Sequence, residues 1–166
     1  MVVYRLCAAA WASRRFALNG EGAARYGQRW NPAGQRAAYF GSSRALCALE
    51  YLVHVGDVED VPELRMVRLE IRDDPADYDD FSDEQRRRLP RNWRERDAMS
   101  RCQQFGGELL GPTGKLGFKV PSALIPAEWN IVLNPDHPTF RDSIVSFRSE
   151  GPFVYDPRLL AIGQSR

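Results

Sequence analysis

Cysteine and histidine are scarce. The 166-residue chain has three cysteines, Cys7, Cys47 and Cys102, and two histidines, His54 and His137. No C-x-x-C pair occurs, so a zinc site is not expected. Three widely spaced thiols read as free cysteines in a reducing cytoplasm rather than as a disulfide framework. An excess of charge is missing too: 23 Lys+Arg against 22 Asp+Glu leave a net charge of +1, too little to favour nucleic acid or a membrane surface. No apolar run approaches the roughly 18 residues of a membrane span. The N-terminal apolar run is broken by Arg5 and lacks the basic start of a signal peptide. Neither G-x-G-x-x-G nor a P-loop is present, so a Rossmann fold and phosphoryl transfer from ATP lack their signatures. There is no internal repeat, low-complexity tract or credible linker. What remains is one cytosolic domain spanning residues 1–166, since 43% hydrophobic content is globular rather than disordered.

Periodicity predicts several short strands and two good helices. Val2–Leu6 alternates, as do residues 64–72, where Val67, Leu69 and Ile71 oppose Arg68, Glu70 and Arg72 in a half-buried strand. Further strands are expected at Ala37–Phe40, at Leu116–Val120, at Trp129–Leu133, from Ile144 to Arg148, and at Phe153–Tyr155. Helices are expected after Ser43, a hydroxyl N-cap, and over residues 97–110, where Gly106-Gly107 would weaken the middle. Gly20, Gly22 and Gly27 predict a mobile loop, and Gly56 with Pro62 a connection. Strands of this kind around two helices make the fold class α+β, mostly antiparallel. Between residues 73 and 96 an acidic block from Asp73 to Glu84 precedes six arginines, Arg86 to Arg96. The blocks neutralise each other locally, which predicts a solvated arm or a partner-binding surface. RNA binding through the arginines ranks last.

The richest stretch runs from Gly27 to His54 as loop, strand and helix, carrying a cation (Arg29), a phenol (Tyr39) and a carboxylate (Glu50). Stepping 100° per residue puts Ala45, Leu46, Ala48, Leu49, Leu52 and Val53 on one apolar stripe, with Glu50 at its edge and His54 one turn on. Glu50 there either points into a cleft or flanks the core and pairs with Arg44 or another surface arginine. Arg, Tyr and Glu on consecutive elements suit a nucleotide with phosphates, ribose and an aromatic base.

The string Gly-Gln-Arg-Trp-Asn-Pro-Ala-Gly (27–34), with Glu-Tyr-Leu-Val-His (50–54), resembles the RES-domain family, the toxin halves of bacterial Xre–RES toxin–antitoxin pairs. The resemblance continues through Val120–Asn130, Leu133–Pro138, Pro152-Phe153 and Asp156–Leu159, and so covers nearly the whole chain. It implies a fold similar to ADP-ribosyltransferases of the diphtheria-toxin type and activity on NAD+ as substrate; no prosthetic group is expected, and no metal is required because nicotinamide leaves a cation as a neutral base. Carried over residue by residue, it marks Arg29, Tyr39, Glu50 and Ser122 as pocket residues, with Ser143 as the alternative serine. It implies a partner as well, a cognate antitoxin with a helix-turn-helix DNA-binding domain.

The chemistry of each residue supports such a role. Breaking the nicotinamide–ribose bond builds positive charge on the sugar, which a carboxylate such as Glu50 stabilises. Arg29 can hold pyrophosphate through charge-assisted hydrogen bonds, and Tyr39 can stack on nicotinamide or fix the ribose. Ser122 is either a short substrate contact or a turn hydroxyl bonding its own backbone. A Ser122–His137–Asp156 triad lacks a nucleophile elbow, and His137 reads better as a loop hydrogen-bonding residue. Water, phosphate or a protein side chain as acceptor would give a glycohydrolase, a phosphorylase or a mono-ADP-ribosyltransferase. The rival from another class is a non-catalytic interaction module using residues 73–96.

Overall fold

In the computed structural model, which describes residues 1–54, 61–83 and 85–161, alternation along the chain becomes two buried sheet faces. β1 (Val2–Ala8) points Val3 and Cys7 to one face and Leu6 to the other, and all three are buried. β3 (Leu64–Ile71) pairs with it along its whole length, Val3 opposite Leu69 and Leu6 opposite Met66. With β2 (Ala38–Gly41), β4 (Tyr78–Asp80), β5 (Gly117–Pro121), β6 (Trp129–Leu133) and β7 (Ile144–Phe153), they form a seven-stranded sheet in the order β4-β5-β6-β2-β1-β3-β7. Every neighbouring pair is antiparallel except β4 with β5. The α+β, mostly antiparallel architecture is therefore as the sequence predicts.

One face carries a continuous core including Val3, Phe40, Leu69, Ile131, Leu133 and Phe140, onto which α1 (Arg14–Leu18) contributes Ala17 and Leu18. The opposite face carries two separate clusters. α3 (Arg44–Leu52) covers one with Leu46 and Cys47, the latter packed with Leu6, Leu64, Met66 and Tyr155. α4 (Met99–Leu109) covers the other, where Cys102 meets Trp30, Phe81, Phe118 and Val132. A fully buried side chain of this kind contributes about 1.5–3 kcal/mol. Between the two clusters lies a seam at the paired Gly41 of β2 and Asn130 of β6, which belong to neither.

Several elements differ from the expectation. Gly20 and Gly27 do not loosen a loop; they bracket α2 (Glu21–Tyr26), with φ of 67° and 69° that only glycine adopts readily. The apolar stripe of α3 is rotated: Ala45, Leu49 and Val53 face outward, while Leu46, Cys47 and the half-buried Glu50 face the sheet. Gly106 is a contact surface, since a Cβ there would lie 2.1 Å from the Trp30 carbonyl oxygen. Residues 73–96 are not a solvated arm. Tyr78, Phe81 and Leu89 are buried, and β4 pairs Tyr78 with Gly117. The separate Phe153–Tyr155 strand is not formed: Phe153 ends β7, a single ten-residue edge strand, and pairs with Leu64, while Val154 and Tyr155 lie beyond it. Pro157–Ala161 form a last short helix, α5. The expectations placed on Gly56 and Glu84 fall outside the described residues. Among the described residues, no helix is long and apolar enough to cross a membrane.

Candidate active site

Ser43 starts α3 by accepting a hydrogen bond from the Leu46 amide at 3.1 Å. Two turns later the helix delivers Glu50 into the seam. Its Oε1 accepts from Ser122 Oγ at 2.9 Å and from Asn130 Nδ2 at 3.0 Å. Arg44 is not its partner, because that guanidinium pairs with Glu150 and lies 4.3 Å over the Tyr4 ring. Gly41 permits the close approach of α3: a Cβ there would meet Cys47 Sγ at 2.8 Å and Asn130 Oδ1 at 3.3 Å. Burial pushes the Cys47 thiol up to about 12, with the nearby Glu50 and Glu128 charges adding to the shift. His54 Nδ1 lies 2.6 Å from the Glu50 carbonyl oxygen, a bond to backbone that does not involve the carboxylate.

Ser122 follows β5 and is fully buried. Its oxygen accepts from the Leu124 and Ile125 amides at 3.0 and 3.2 Å while its proton goes to Glu50. Both readings of this serine therefore hold at once, as turn hydroxyl and as carboxylate partner. Ser143 is elsewhere, donating to the Phe140 carbonyl on the far side of the sheet. The loop after Ser122 is tied to the start of α3 through Glu128, whose Oε2 accepts from Ser42 and Ser43 hydroxyls at 2.8 and 2.6 Å.

Tyr39 stands on β2, on the same face as Gly41, opposite Val132 of β6. Its hydroxyl donates to Asn31 Oδ1 at 2.7 Å and accepts from the Trp30 amide at 3.2 Å. Burial pushes the phenol well above its ordinary value, partly offset by the Trp30 amide and the Arg29 charge, so it stays protonated. Asn31, fully buried, also shares its two Nδ2 protons among the Ala23, Pro32 and Gln35 carbonyls. This one amide shapes the loop that presents Arg29. The Arg29 Nη1 in turn donates to the Trp93 and Glu95 carbonyls at 2.5 and 3.2 Å. Among the described residues no carboxylate pairs with Arg29, which leaves its charge for an anion.

The arginine-rich stretch reaches the other rim as well, Arg86 bonding the Pro126 carbonyl and Arg94 the Ala123 carbonyl at 3.0 and 2.9 Å. Residues 86–95 thus strap the Arg29 side of the site to the Ser122 side, with Trp93 resting on Trp30 at 5.9 Å. His137 bonds Thr139 within its own loop, as its reading as a loop hydrogen-bonding residue expects, and Asp156 pairs with Arg158, so the Ser122–His137–Asp156 triad is not assembled.

Glu50 and Ser122 are thus in direct contact, while Tyr39 and Arg29 meet through the Trp30–Asn31 turn. The carboxylate is held by Ser122 and Asn130, and the guanidinium by two backbone carbonyls with no carboxylate partner among the described residues. Asn31 reads in the sequence as turn chemistry, Gly41 as a strand end and Asn130 as part of a family string, none of them as a site residue. A signal did exist for Asn130, because asparagine is depleted in strand interiors.

A family model described as "RES domain" matches residues 2–156. The chain belongs to the RES-domain family. "Toxin Res" of Yersinia enterocolitica is 35% identical over 165 residues, covering 96% of each chain. The "Prs ADP-ribosylating toxin" of a Sphingobium strain is 30% identical over 143 residues, covering 86% of each. Among solved structures, this RES domain is similar to a chain of the M. tuberculosis MbcT–MbcA toxin–antitoxin complex. The TM-score is 0.65 at 22% identity, covering 97% of this chain and 87% of that one, a likeness that speaks for the fold.

Proposed function

We propose that the chain is the toxin half of a toxin–antitoxin pair and cleaves the nicotinamide–ribose bond of NAD+. The observation that carries this reading is the Glu50 carboxylate, presented from the buried face of α3 and bonded through Oε1 to Ser122 and Asn130. As the C1′–N bond breaks, its electron pair leaves with neutral nicotinamide and positive charge collects on the ribose. A preorganised carboxylate beside the sugar stabilises that charge without reorganising at the moment of reaction. Arg29 would take the pyrophosphate, and the protonated Tyr39 would fix the nicotinamide–ribose end. An acceptor then adds at C1′ and gives up its proton: water yields ADP-ribose, phosphate its 1-phosphate.

A second reading has transfer to a protein side chain, favoured by the relative named an ADP-ribosylating toxin. Purified protein, freed of any partner, is to be incubated with NAD+ while nicotinamide release is followed. Mass analysis of the other product separates the three acceptors. No release with water, phosphate or a cell extract as the acceptor source would overturn the reading. The cognate antitoxin, carrying a helix-turn-helix DNA-binding domain, would hold this activity in check in the cytoplasm.

A further inference from the structure

Glu50 Oε1 receives two donors, and each has little else to do. The Ser122 proton is committed to Glu50 because the serine oxygen already accepts the Leu124 and Ile125 amides. Asn130 sits mid-sheet, its backbone flanked by Gly41 on β2 and Val120 on β5. Its amide fills the space that the missing Gly41 side chain leaves beneath α3, with Oδ1 at 3.3 Å from where a Cβ would stand. An ionised carboxylate only accepts, so the Asn130 group facing Glu50 is the NH₂. Two bonds occupy the lone pairs of Oε1. Among the described residues, no hydrogen bond is made to Oε2.

We propose that Asn130 is a positioning residue: with Ser122 it saturates Glu50 Oε1, leaving Oε2 as the single carboxylate oxygen that faces the ribose of the substrate. This rests on the NAD+-cleaving reading of the site. The floor of the sheet aims the carboxylate, and the helix carries it. Because Asn130 acts through Glu50, losing its amide leaves the Arg29 and Tyr39 contacts intact and lets the carboxylate rotate away from the sugar. The cost then falls on turnover rather than on binding.

The test uses the full chain and two variants, Asn130→Ala and the nearly isosteric Asn130→Asp, which removes the donor and adds a like charge. Nicotinamide release from NAD+ gives kcat and KM, and thermal melting confirms that each variant is folded. Asn130→Ala is expected to lower kcat about tenfold with KM changed less than about twofold, the loss of one charge-assisted hydrogen bond. Asn130→Asp is expected to lose more. An unchanged kcat, or a loss confined to KM, would overturn the assignment. A second readout needs no activity: the carboxyl ¹³C resonance of Glu50, identified by its disappearance in Glu50→Gln, should move in Asn130→Ala. A resonance that stays put would overturn it as well. If the unmodified chain releases no nicotinamide, the NAD+ reading fails, while the ¹³C shift still decides whether Asn130 holds Glu50.

Discussion

At the scale of single residues, the two charged groups of the site are held in different ways, and this separates their expected effects. Arg29 leans on two carbonyls of the 93–95 turn, so truncating it removes a cation without disturbing Glu50. Arg29→Ala should weaken NAD+ binding by about 1.5–3 kcal/mol, one charge-assisted contact, which a titration with NAD+ would read. Glu50→Ala should instead lower kcat with KM nearly unchanged; similar losses of affinity in both variants would contradict the division. Tyr39→Phe removes a hydroxyl that bonds Asn31 and Trp30, and should destabilise the fold by about 1–3 kcal/mol in denaturant melts because buried partners are left unsatisfied. Cys47 supplies a pH dependence. Its thiol is raised to about 12 in the fold against roughly 8.5 in an unfolded chain. Below the lower value both states are protonated and stability is complete. As pH rises above it, the unfolded chain ionises first, so stability falls progressively toward pH 12. Titration with an aromatic disulfide reagent at pH 8 should accordingly find Cys47 silent until the protein is denatured.

The elements show where sequence patterns carry the fold and where they stop. The strands that alternate in sequence, β1, β3 and β5, are legible because a two-residue period permits little besides a strand. The cap at Ser43 was legible for a similarly local reason. A sequence cannot tell a glycine's freedom from its close approach: Gly20 and Gly27 bracket α2 rather than loosen a loop, and Gly106 has a contact role beside its helix propensity. Gly106 looked like a weak point in α4, yet any Cβ would collide with the Trp30 backbone. Gly106→Ala, a gain of roughly 1 kcal/mol by helix propensity alone, should therefore lower the melting temperature. A melting temperature equal to that of the unmodified chain would show that α4 can slide away from Trp30. The charged stretch is not the solvated arm its composition suggests, because composition hides its few anchors. Tyr78, Phe81 and Leu89 pin it, and Arg86 and Arg94 spend their donors on carbonyls of the facing loop. Of the candidate site, the residues bearing chemistry were visible through the family resemblance. The residues that aim them act through three-dimensional neighbours, Asn31 through the Tyr39 hydroxyl and Gly41 with Asn130 through the pairing of β2 and β6.

For the whole molecule the question is how an NAD+-consuming enzyme would be kept from harming its own cell. The 86–95 strap ties the Arg29 side of the site to the 122–128 loop, and residues 20–27 form α2 in place of the mobile loop expected. A folded rim offers a partner a shaped socket, so an inhibitor gains affinity without first ordering the toxin. The cation in that socket, Arg29, has no carboxylate partner among the described residues and would attract a carboxylate in place of substrate phosphate. We therefore expect the cognate antitoxin to insert a segment that places a side-chain or C-terminal carboxylate near Arg29. Removing the last few antitoxin residues should restore nicotinamide release while leaving its DNA-binding domain functional. Arg29→Ala should weaken the complex, and more so at low ionic strength, where an exposed charge pair counts most. A truncated antitoxin that still bound and fully inhibited the toxin would show that the block lies elsewhere, with docking on the outward apolar face of α3, Ala45, Leu49 and Val53, as the place to look next.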